Sequence, residues 1–578
     1  MASTSLRPPT RRWVINEEPA HEEVRGLVSA LRLPSPVCEV LAVRGFSKPH
    51  EAKRFLRPRL EDLQDPSSLA DGTVAADRVA ASIRDGQTIL VHGDYDVDGI
   101  CATALLTRWL RSLGAQVVPF VPHRLRDGYD FGPAGLAAAR EAGAHLIITA
   151  DCGTVAHATV DAANAAGIDV VITDHHTVSG PLPEAVAVVN PQRPDCGYPD
   201  KDLCGTGVVY KLCALVAAAL DRDDDDLAAY LDLVALATVA DLVPLRGENR
   251  ILVHFGLRRF AHTTIPGVAA LLQVAGVPGS EVTAGKLGFV VAPRINAAGR
   301  IGESADALRL LLTSDALQAA KLAQQLDETN RTRQEEDKRT LSEALILLEE
   351  SYDPVRDRGV VLAAEGWHPG VIGIVASRLV ERIHRPVVLL ALDGDRGRGS
   401  ARSIPGFDLF DALQQCAEHM LRFGGHHQAA GMDVATSSVA ALRDAFAEVA
   451  RARLDEEDLS PVLRADLAID LEAVDLQLVH WLDYLGPHGM GNPAPTFLAR
   501  DVTLERAKVV GENHLKATLR QGRASVDAIG FRLADEYPPE RVSEGRYDAA
   551  IRLERNEFRG SVRVQARLLG IRPWEPVT

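Results

Sequence analysis

Three aspartates stand within five residues, directly after a short apolar run. The run TILVH (88–92) predicts a buried strand, and the following GDYDVDG places Asp94, Asp96 and Asp98 where that strand ends. Carboxylates at this spacing repel one another, and a divalent cation offsets the repulsion and favours their ionised forms. A calcium loop of the EF-hand type would need an acid at its twelfth position, which counted from Asp94 is Leu105. The spacing therefore favours another kind of metal site.

Carboxylate and imidazole groups also follow three later apolar segments. They are Asp151 after HLIITA, Asp174, His175 and His176 after DVVIT, and Asp241 after the helical pattern LATVA. His92, in the last position of the first strand, adds a further ring nitrogen. Oxygen and imidazole ligands suit Mn²⁺ or Mg²⁺ better than a sulfur-rich zinc site would. Four such segments in succession predict a centre for divalent metal.

The elements that must position these groups alternate along the first half of the chain. Short β-rich runs (88–92, 116–122, 145–150, 169–173 and 185–190) are separated by Ala- and Leu-rich stretches of helical periodicity. This alternation predicts a parallel sheet with helices on both faces. Open parallel sheets bind ligands at the edge formed by the carboxyl ends of their strands. We therefore expect the acids and histidines to meet at that edge.

The second half predicts three further parts. A polar pattern from about 314 to 350 is too long for an average globular helix, which favours a helix connecting two domains. A second α/β pattern runs to about 454, and short strands broken by Gly and Asn then predict an all-β barrel. The expected organisation is an N-terminal extension (1–70), an α/β domain (71–313), the connecting helix (314–352), a second α/β domain (353–456) and the barrel (460–578).

Composition describes a multidomain protein of ordinary solubility. A chain of 578 residues is too long to fold around a single hydrophobic core. A composition of 46% hydrophobic and 25% charged residues is typical of globular proteins. No apolar stretch reaches the roughly 18–20 residues of a membrane span, and the N-terminus lacks a secretory signal, so we expect a cytoplasmic protein without a membrane partner. Seven cysteines without a CxxC pair indicate neither a disulfide framework nor a zinc site. The net charge of −16 argues only weakly against nucleic acid, because charge is unevenly distributed.

The metal-ligand segments resemble the motifs of the DHH phosphoesterase superfamily, in the same order. They stand here as HGDYDVDG (92–99), ADCGT (150–154), TDHH (173–176) and ATVADLVPL (237–245). Longer segments are similar to the RecJ family within that superfamily. They include VPHRLRDGYDFG (121–132), VAPRINAAGRIG (291–302), GWHPGVIGIVASRL (366–379), GSARSIPGFDLFDAL (399–413), GGHHQAAG (424–431) and LGPHGMGNPAPTF (485–497). The resemblance implies a DHH domain, a DHH-associated domain and a C-terminal OB-fold.

The resemblance also implies roles for single residues. Two divalent ions, Mn²⁺ in preference or Mg²⁺, would be held by His92, Asp96 and Asp151 and by Asp98, Asp151, His175 and Asp241. Asp94 would lie outside both ligand sets. The catalytic residues would be Asp151, Arg300 and His176, with His176 facing the scissile phosphate. The substrate would be bound by Arg124, Arg294, Asn296 and Arg300, and its 5′ terminal phosphate by Ser400, Arg402, Gly425 and His426.

The OB-fold implies a groove in which cationic and aromatic side chains bind a single strand. The candidates are Phe497, Phe531, Tyr547 and Phe558 with Arg552, Arg555, Arg559 and Arg563. Any one of these aromatic rings is more often part of a core than a stacking platform. The sequence therefore leaves both interpretations open for each ring.

The implied activity is a two-metal exonuclease that degrades single-stranded DNA in the 5′→3′ direction to 5′-mononucleotides, in recombination and repair. One alternative is a DHH-type phosphodiesterase acting on short oligonucleotides or cyclic dinucleotides. Another is a non-catalytic DNA-binding scaffold, although every expected acid and histidine is present. Single-stranded DNA is the expected partner, with a single-strand-binding protein and a helicase as further partners and a monomer as the expected state.

Overall fold

The structure, a computed structural model, describes residues 9–178, 180–558 and 560–575. Its strands are β1 (Arg12–Ile15), β2 (Thr88–Gly93), β3 (Gln116–Phe120), β4 (Leu146–Ala150), β5 (Asp169–Thr173), β6 (Ala187–Val189), β7 (Val360–Glu365), β8 (Val387–Asp393), β9 (Arg396–Arg402), β10 (Arg422–Gly425), β11 (Ala429–Ala435), β12 (Val462–Ala465), β13 (Leu467–Ala468), β14 (Phe497–Val510), β15 (His514–Gln521), β16 (Ala524–Gly530), β17 (Tyr547–Phe558) and β18 (Ser561–Pro573).

The helices follow the same chain order. They are α1 (His21–Leu31), α2 (Ser35–Val43), α3 (Pro49–Leu56), α4 (Gly72–Arg84), α5 (Val97–Ser112), α6 (Pro133–Glu141), α7 (His157–Ala165), α8 (Gly205–Ala219), α9 (Leu231–Ala240), α10 (Gly247–Arg259), α11 (Pro266–Val274), α12 (Ala284–Lys286), α13 (Ala292–Ile301), α14 (Ser304–Leu312), α15 (Ala316–Ser351), α16 (Ile372–Ile383), α17 (Leu409–Gln415), α18 (Val439–Arg453), α19 (Leu476–Asp483) and α20 (Pro539–Val542). A π-helical turn, Leu287–Val291, joins α12 to α13.

The chain folds into two compact units, and neither is one continuous stretch. The parallel-sheet unit comprises Arg54–Thr332 and Leu485–Ala494. The barrel unit comprises Met1–Lys53, Arg333–Tyr484 and Pro495–Thr578. One boundary between them falls inside α15, the helix that occupies the long polar pattern. The five-part division expected from the sequence stays a prediction.

Five parallel strands in the order β3-β2-β4-β5-β6 form the sheet of the parallel-sheet unit. Successive side chains of a strand point to opposite faces. Accordingly Ile89 and Val91 join one apolar core with Ile100 of α5, whereas Leu90 joins another with Leu136 of α6. Both faces are therefore covered, which explains why the strands read as continuous apolar runs.

The described residues of the barrel unit form three sheets. A five-stranded sheet has the order β10-β11-β9-β8-β7, in which β7 and β8 are parallel. A six-stranded sheet has the order β13-β14-β15-β16-β18-β17 and is closed into a barrel by pairing of β14 with β17. The N-terminal strand β1 pairs in parallel with β12. These sheets confirm the predicted fold class.

Among the described residues, no α-helix is both long enough and apolar enough to cross a membrane.

Candidate metal centre

Helix N-termini hold two of the acids that follow strand β2. Asp96 caps α5, and its side chain accepts the backbone N–H of Gly99 at 3.1 Å. Asp98 is buried and accepts the backbone N–H groups of Gly205 and Thr206, both at 2.7 Å. Those two groups begin α8, and a helix N-terminus favours a negative charge. The carboxylate of Asp98 is thus fixed at the carboxyl edge of the sheet.

Asp151 follows β4 in a strained backbone conformation. Its φ is 70°, in the left-handed region that residues with a side chain seldom adopt. Gly205 leaves room for it, because a Cβ on Gly205 would lie 2.5 Å from the Cβ of Asp151. Strain of this kind costs of the order of 1–3 kcal/mol and is concentrated at functional sites.

The imidazole of His175 lies among three carboxylates. Its Nε2 is 3.1 Å from Oδ1 of Asp151, 3.6 Å from Oδ2 of Asp241 and 3.8 Å from Oδ2 of Asp98. Asp98 and Asp151 are buried, whereas the Asp241 side chain, at the end of α9, is 24% exposed. The structure therefore brings together the four residues that the resemblance assigns to one metal ion.

A second group of possible ligands shares Asp151. One ligand atom from each of Asp94, Asp96 and Asp151 lies within 4.8 Å of the others. Sequence reasoning places Asp94 outside the ligand sets, but this geometry puts it beside Asp96. A further group of the same kind joins Asp151 and His175 to His176.

His92 lies outside these groups of possible ligands. Its ring is buried between Phe120 and Phe131, with each ring centroid 5.2 Å away. Nδ1 lies 3.6 Å from Sγ of Cys152, and Nε2 is packed against Gly135 and has no hydrogen-bond partner among the described residues. Burial lowers the pKa of His92 to about 4, so the ring is neutral. Its role as a ligand stays a prediction.

The electrostatics of the cluster favour a bound cation. Burial, and then the charge of neighbouring aspartates, raises the pKa of Asp94, Asp96, Asp151 and Asp241. Burial also lowers the pKa of His175, although the surrounding carboxylates oppose this. A divalent ion would stabilise all four carboxylates in their ionised forms.

Three buried atoms of the cluster also make no hydrogen bond of normal geometry among the described residues. They are Oδ1 of Asp94, and Oδ1 of Asp151 and Nε2 of His175, which lie 3.1 Å apart. An unpaired buried polar atom costs about 1–3 kcal/mol. Carboxylate oxygens and a neutral imidazole are hard or borderline ligands that suit Mn²⁺ and Mg²⁺. The residues present therefore fit divalent metal.

His176 is oriented by Asp174. Nδ1 of His176 lies 2.7 Å from Oδ1 of Asp174, which also accepts the backbone N–H groups of both histidines. Burial alone would lower the pKa of His176, but the Asp174 carboxylate outweighs it and raises the pKa to about 9. The remaining ring nitrogen, Nε2, lies 3.2 Å from the hydroxyl of Tyr129. Nε2 is the atom that the pairing with Asp174 leaves for another partner.

Two of the predicted phosphate-binding arginines lie near the loop that carries the acids. The guanidinium of Arg124 lies 5.1 Å above the ring of Tyr95, and the charges of Arg124 and Arg300 both act to lower the pKa of Tyr95, which burial raises. Helix α13, which carries Arg300, packs closely here, since a Cβ on Gly299 would lie 2.4 Å from the Tyr95 carbonyl oxygen.

The other two predicted residues of α13 are placed differently. Arg294 forms an ion pair of 2.8 Å with Asp327 and also donates to the carbonyl of Val290. Asn296 is half-buried in the same helix. Their roles in phosphate binding stay predictions.

The residues predicted to bind a terminal phosphate lie together in the barrel unit. In the five-stranded sheet, Arg402 of β9 pairs with Ala429 of β11, and Gly425 of β10 pairs with Ala430. Nη1 of Arg402 donates to Oγ of Ser400 at 3.1 Å. The backbone N–H of His426 donates to the carbonyl of Ala429 at 2.8 Å. One end of this sheet therefore gathers all four.

The barrel candidates separate into core and surface. Phe497 is fully buried, Tyr547 is half-buried, and Phe531 is 48% exposed. Arg559 lies outside the described residues, and so does the side chain of Phe558.

Sequence reasoning missed residues that hold the site residues in place through hydrogen bonds. Asn190, directly after β6, donates to the carbonyl of His176 at 2.9 Å and to Oγ1 of Thr154 at 3.1 Å. Gly205 and Thr206 hold Asp98, although they lie in a segment without acids. A polar residue at a strand end is the one signal that could have indicated Asn190.

Comparison with known proteins places family domains along most of the chain. Residues 88–238 match the DHH family, N-terminal domain, residues 357–452 match the DHHA1 domain, and residues 465–569 match the RecJ OB domain. The first of these ranges contains all five strands of the parallel sheet and every aspartate of the metal-ligand cluster except Asp241.

Relatives named single-stranded-DNA-specific exonuclease RecJ are similar over nearly the whole chain. The protein of Dickeya dadantii is 39% identical over 554 residues, which cover 92% of this chain and 95% of the relative. The protein of Bacillus subtilis is 38% identical over 524 residues, which cover 90% of this chain and 66% of the relative.

Solved structures agree with this. The RecJ of Thermus thermophilus in complex with Mn²⁺ matches with a TM-score of 0.84 and 32% identity, covering 98% of this chain and 80% of that one. The same protein has also been solved in complex with Mg²⁺. With the metal-binding cluster at the carboxyl edge of its parallel sheet, the chain belongs to the RecJ family of DHH phosphoesterases.

Proposed function

We propose that the protein is a divalent-metal-dependent exonuclease that degrades single-stranded DNA from its 5′ end and releases 5′-mononucleotides. The observation that carries the proposal is the cluster of Asp98, Asp151, His175 and Asp241, whose ligand atoms surround Nε2 of His175 within 3.8 Å. Relatives at 35–39% identity that bear the name of a single-stranded-DNA-specific exonuclease support the substrate.

Asp151 would be shared between two ligand sets. One set is Asp98, Asp151, His175 and Asp241, and the other contains Asp94, Asp96 and Asp151, with His92 as the ligand that the resemblance adds. Two divalent ions held there would supply the Lewis acidity that a phosphodiester displacement by water requires.

The protein's own side chains position the phosphodiester. Because Asp174 holds Nδ1 of His176, Nε2 is the ring atom that would contact the scissile phosphate. A phosphodiester carries negative charge that repels an attacking oxygen, so neutralising it is the main catalytic task. Arg300 and Arg124, which lie near the Tyr95 loop, would bind the non-bridging oxygens through planar guanidinium groups.

The 5′ preference would come from the barrel unit. Ser400 and Arg402 offer a hydroxyl and a guanidinium side by side, and the imidazole of His426 follows Gly425 at the end of the neighbouring strand. Glycine without a Cβ allows an anion to approach the backbone closely. A terminal phosphate bound by this group would select a strand end over an internal bond. Arg294 and Asn296 are proposed to extend the phosphate contacts along α13.

The wider setting belongs to the same proposal. We infer a role in DNA recombination and repair, in the cytoplasm, for a monomer that works with a single-strand-binding protein and a helicase. The RecJ relatives support the first of these inferences, and an association assay with each purified partner would test the others.

Strands labelled at the 5′ or the 3′ end test the activity directly. With Mn²⁺ or Mg²⁺ we expect a 5′-labelled single strand to release labelled mononucleotide at once, and a 3′-labelled strand to shorten progressively. A blunt duplex and a chelator-treated reaction serve as controls. Rapid cleavage of dinucleotides with no cleavage of long strands would instead support a phosphodiesterase of short oligonucleotides, and no metal-dependent cleavage would support a scaffold.

A further inference from the structure

Residues 121–132 join β3 to α6 and form neither helix nor strand, and we call them the β3–α6 loop. The loop carries Arg124, whose guanidinium lies 5.1 Å above the ring of Tyr95, and Tyr129, whose hydroxyl lies 3.2 Å from Nε2 of His176. The proposed function assigns Arg124 and His176 to the phosphodiester. The position of this loop therefore matters for hydrolysis.

The β3–α6 loop turns sharply at Asp130. The φ of Asp130 is 74°, in the left-handed region, where a side chain crowds the backbone and glycine does not. The turn separates its two neighbours. Tyr129 is 52% exposed and meets the ring of His176 at 6.1 Å, whereas Phe131 is buried and packs on the ring of His92 at 5.2 Å. Glycine would form this turn more easily, so the presence of aspartate indicates a use for its side chain.

That side chain binds the segment that follows β4. Oδ1 of Asp130 accepts the backbone N–H of Gly153 at 2.6 Å. Gly153 stands two positions after Asp151, the aspartate that both possible ligand sets share. A charged acceptor makes a stronger hydrogen bond to an N–H group than a neutral one does. One hydrogen bond thus joins the β3–α6 loop to the segment of the shared aspartate.

The segment that receives this bond is itself held at several points. The backbone N–H of Asp151 donates to the carbonyl of Thr173 at 3.0 Å, and Oγ1 of Thr149 donates to the carbonyl of Cys152 at 2.7 Å. A Cβ on Gly153 would lie only 2.8 Å from the same Oγ1, so the backbone packs closely there. The carboxylate of Asp130 is therefore attached to a fixed part of the sheet edge.

We propose that Asp130 is a positioning residue, whose hydrogen bond to Gly153 fixes the β3–α6 loop on the segment that carries Asp151. The bond keeps Arg124 and Tyr129 in place beside the metal centre. The inference rests on the proposed function, because hydrolysis is the reaction that this placement serves. A displacement of about 1 Å at a reacting group can lower a rate by about 10²-fold. An aspartate that only formed the turn could be replaced by glycine without loss.

Asp130→Gly and Asp130→Asn separate the hydrogen bond from the turn. Glycine suits a φ of 74° but offers no side-chain acceptor. We expect this variant to unfold at the same urea concentration as the unmodified protein or a higher one, while its kcat falls about 10- to 100-fold. Asparagine also tolerates this backbone, and its Oδ1 can accept the same N–H, so kcat should stay within about threefold. Steady-state hydrolysis of a labelled single strand with Mn²⁺ measures kcat and KM.

Hydrogen–deuterium exchange detects the bond without any hydrolysis. In Asp130→Gly the amide of Gly153 loses its acceptor, so peptides that cover residues 150–156 should exchange about tenfold faster or more. Peptides of the Asp130→Asn variant should exchange like those of the unmodified protein.

Asp221→Gly is the matched control, because Asp221 is also left-handed, with a φ of 54°, but is exposed and lies just beyond α8. It should keep the kcat of the unmodified protein. Unchanged kcat in Asp130→Gly would overturn the proposal, and so would an equal loss in Asp130→Asn or in Asp221→Gly. Faster exchange in Asp130→Gly, in a protein that cuts no strand, would reject the proposed function alone and retain the link between the two segments.

Discussion

Asn190 holds His176 by its backbone, because its Nδ2 donates to the His176 carbonyl oxygen at 2.9 Å. The amide of Asn190 is fully buried, and it also donates to Oγ1 of Thr154 at 3.1 Å. Thr154 in turn donates its backbone N–H to Asp174, the carboxylate that holds the His176 ring. A residue outside every recognised motif thus joins two of them.

Replacing Asn190 with alanine should lower kcat more than it raises KM. The carbonyl of His176 would lose its side-chain donor, and a displacement of about 1 Å at a reacting group can cost about 10²-fold in rate. Steady-state kinetics on a labelled single strand measure the effect. Asn164→Ala is the control, because Asn164 also donates to a carbonyl, that of Glu184, but from an exposed position on α7. Equal kinetics in both variants would remove the positioning role.

Asp151→Asn should lower hydrolysis by about 10²- to 10³-fold or more, since it removes a charge from both ligand sets. Without metal the same variant should be at least as stable as the unmodified protein, because burial, and then the charges of the surrounding carboxylates, disfavour the ionised form of Asp151. Added Mn²⁺ should raise the Tm of the unmodified protein and have little effect on the variant.

Thermal melts with chelator and with Mn²⁺, alongside strand hydrolysis, check that expectation. Asp77→Asn, at an exposed position of α4, should behave like the unmodified protein in both assays. A variant at Asp151 that keeps its activity would refute the shared-ligand arrangement.

Gly205→Ala should be harmful, whereas Gly207→Ala on the same helix should be tolerated. A Cβ on Gly205 would lie 2.5 Å from Asp151, but a Cβ on Gly207 would make an ordinary contact of 3.4 Å with Leu203. We expect the first change to cost about 1–3 kcal/mol in the free energy of unfolding and to lower activity. The second should stay within about 1 kcal/mol, on the stabilising side. Urea unfolding and strand hydrolysis of the two variants distinguish these outcomes.

Lys211→Met should destabilise the parallel-sheet unit by about 3–5 kcal/mol, since it leaves a buried carboxylate without its cation. Lys211 and Glu248 form an ion pair of 2.5 Å, with side chains only 3% and 2% exposed, and Tyr198 donates to the same carboxylate. The double variant K211M/E248L should recover part of the loss.

Lys286→Met gives the matched comparison at an exposed pair. Lys286 lies 3.1 Å from Glu281, with the lysine 38% and the glutamate 63% exposed, and exposed pairs contribute about 1 kcal/mol or less. Similar losses in Lys211→Met and Lys286→Met would contradict the importance of burial.

His254 should make the protein sensitive to mild acid. Burial, and then the charges of Arg258 and Arg250, lowers the pKa of His254 from 6.5 to about 4. Between these values the unfolded chain binds the additional proton, so stability rises with pH there. The contribution is complete above pH 6.5 and is lost as the pH falls towards 4. Urea midpoints compared from about pH 7 to about pH 4.5 should fall more for the unmodified protein than for His254→Gln; an equal fall in both would contradict this.

The positions of the strand ends could be predicted from the sequence. Which side chains come together at those ends could be predicted only in part. Apolar runs locate Asp151 and His175 after β4 and β5, because a buried parallel strand must end before a charged side chain appears. Nothing local distinguishes His92, which packs between Phe120 and Phe131, from Asp94, which lies with Asp96 and Asp151. His92 and Asp94 are only two residues apart at the end of β2, but their side chains lie in different surroundings.

Residues that position the metal-ligand side chains were harder to predict from the sequence, since their role depends on a partner distant in the chain. Gly205 matters because Asp151, 54 positions earlier, has a positive φ. Such a requirement is visible only when both backbones are placed.

The short segment Leu485–Ala494 belongs to the parallel-sheet unit although both of its neighbours in sequence belong to the other. There Arg250 donates to the carbonyl of Leu485, and the backbone N–H of Leu245 donates to that of Met490. Neither unit is therefore formed by one continuous segment of the chain. A fragment that ended before Leu485 would lack ten residues of the parallel-sheet unit, so a loss of activity after such a truncation would say nothing about DNA binding by the barrel.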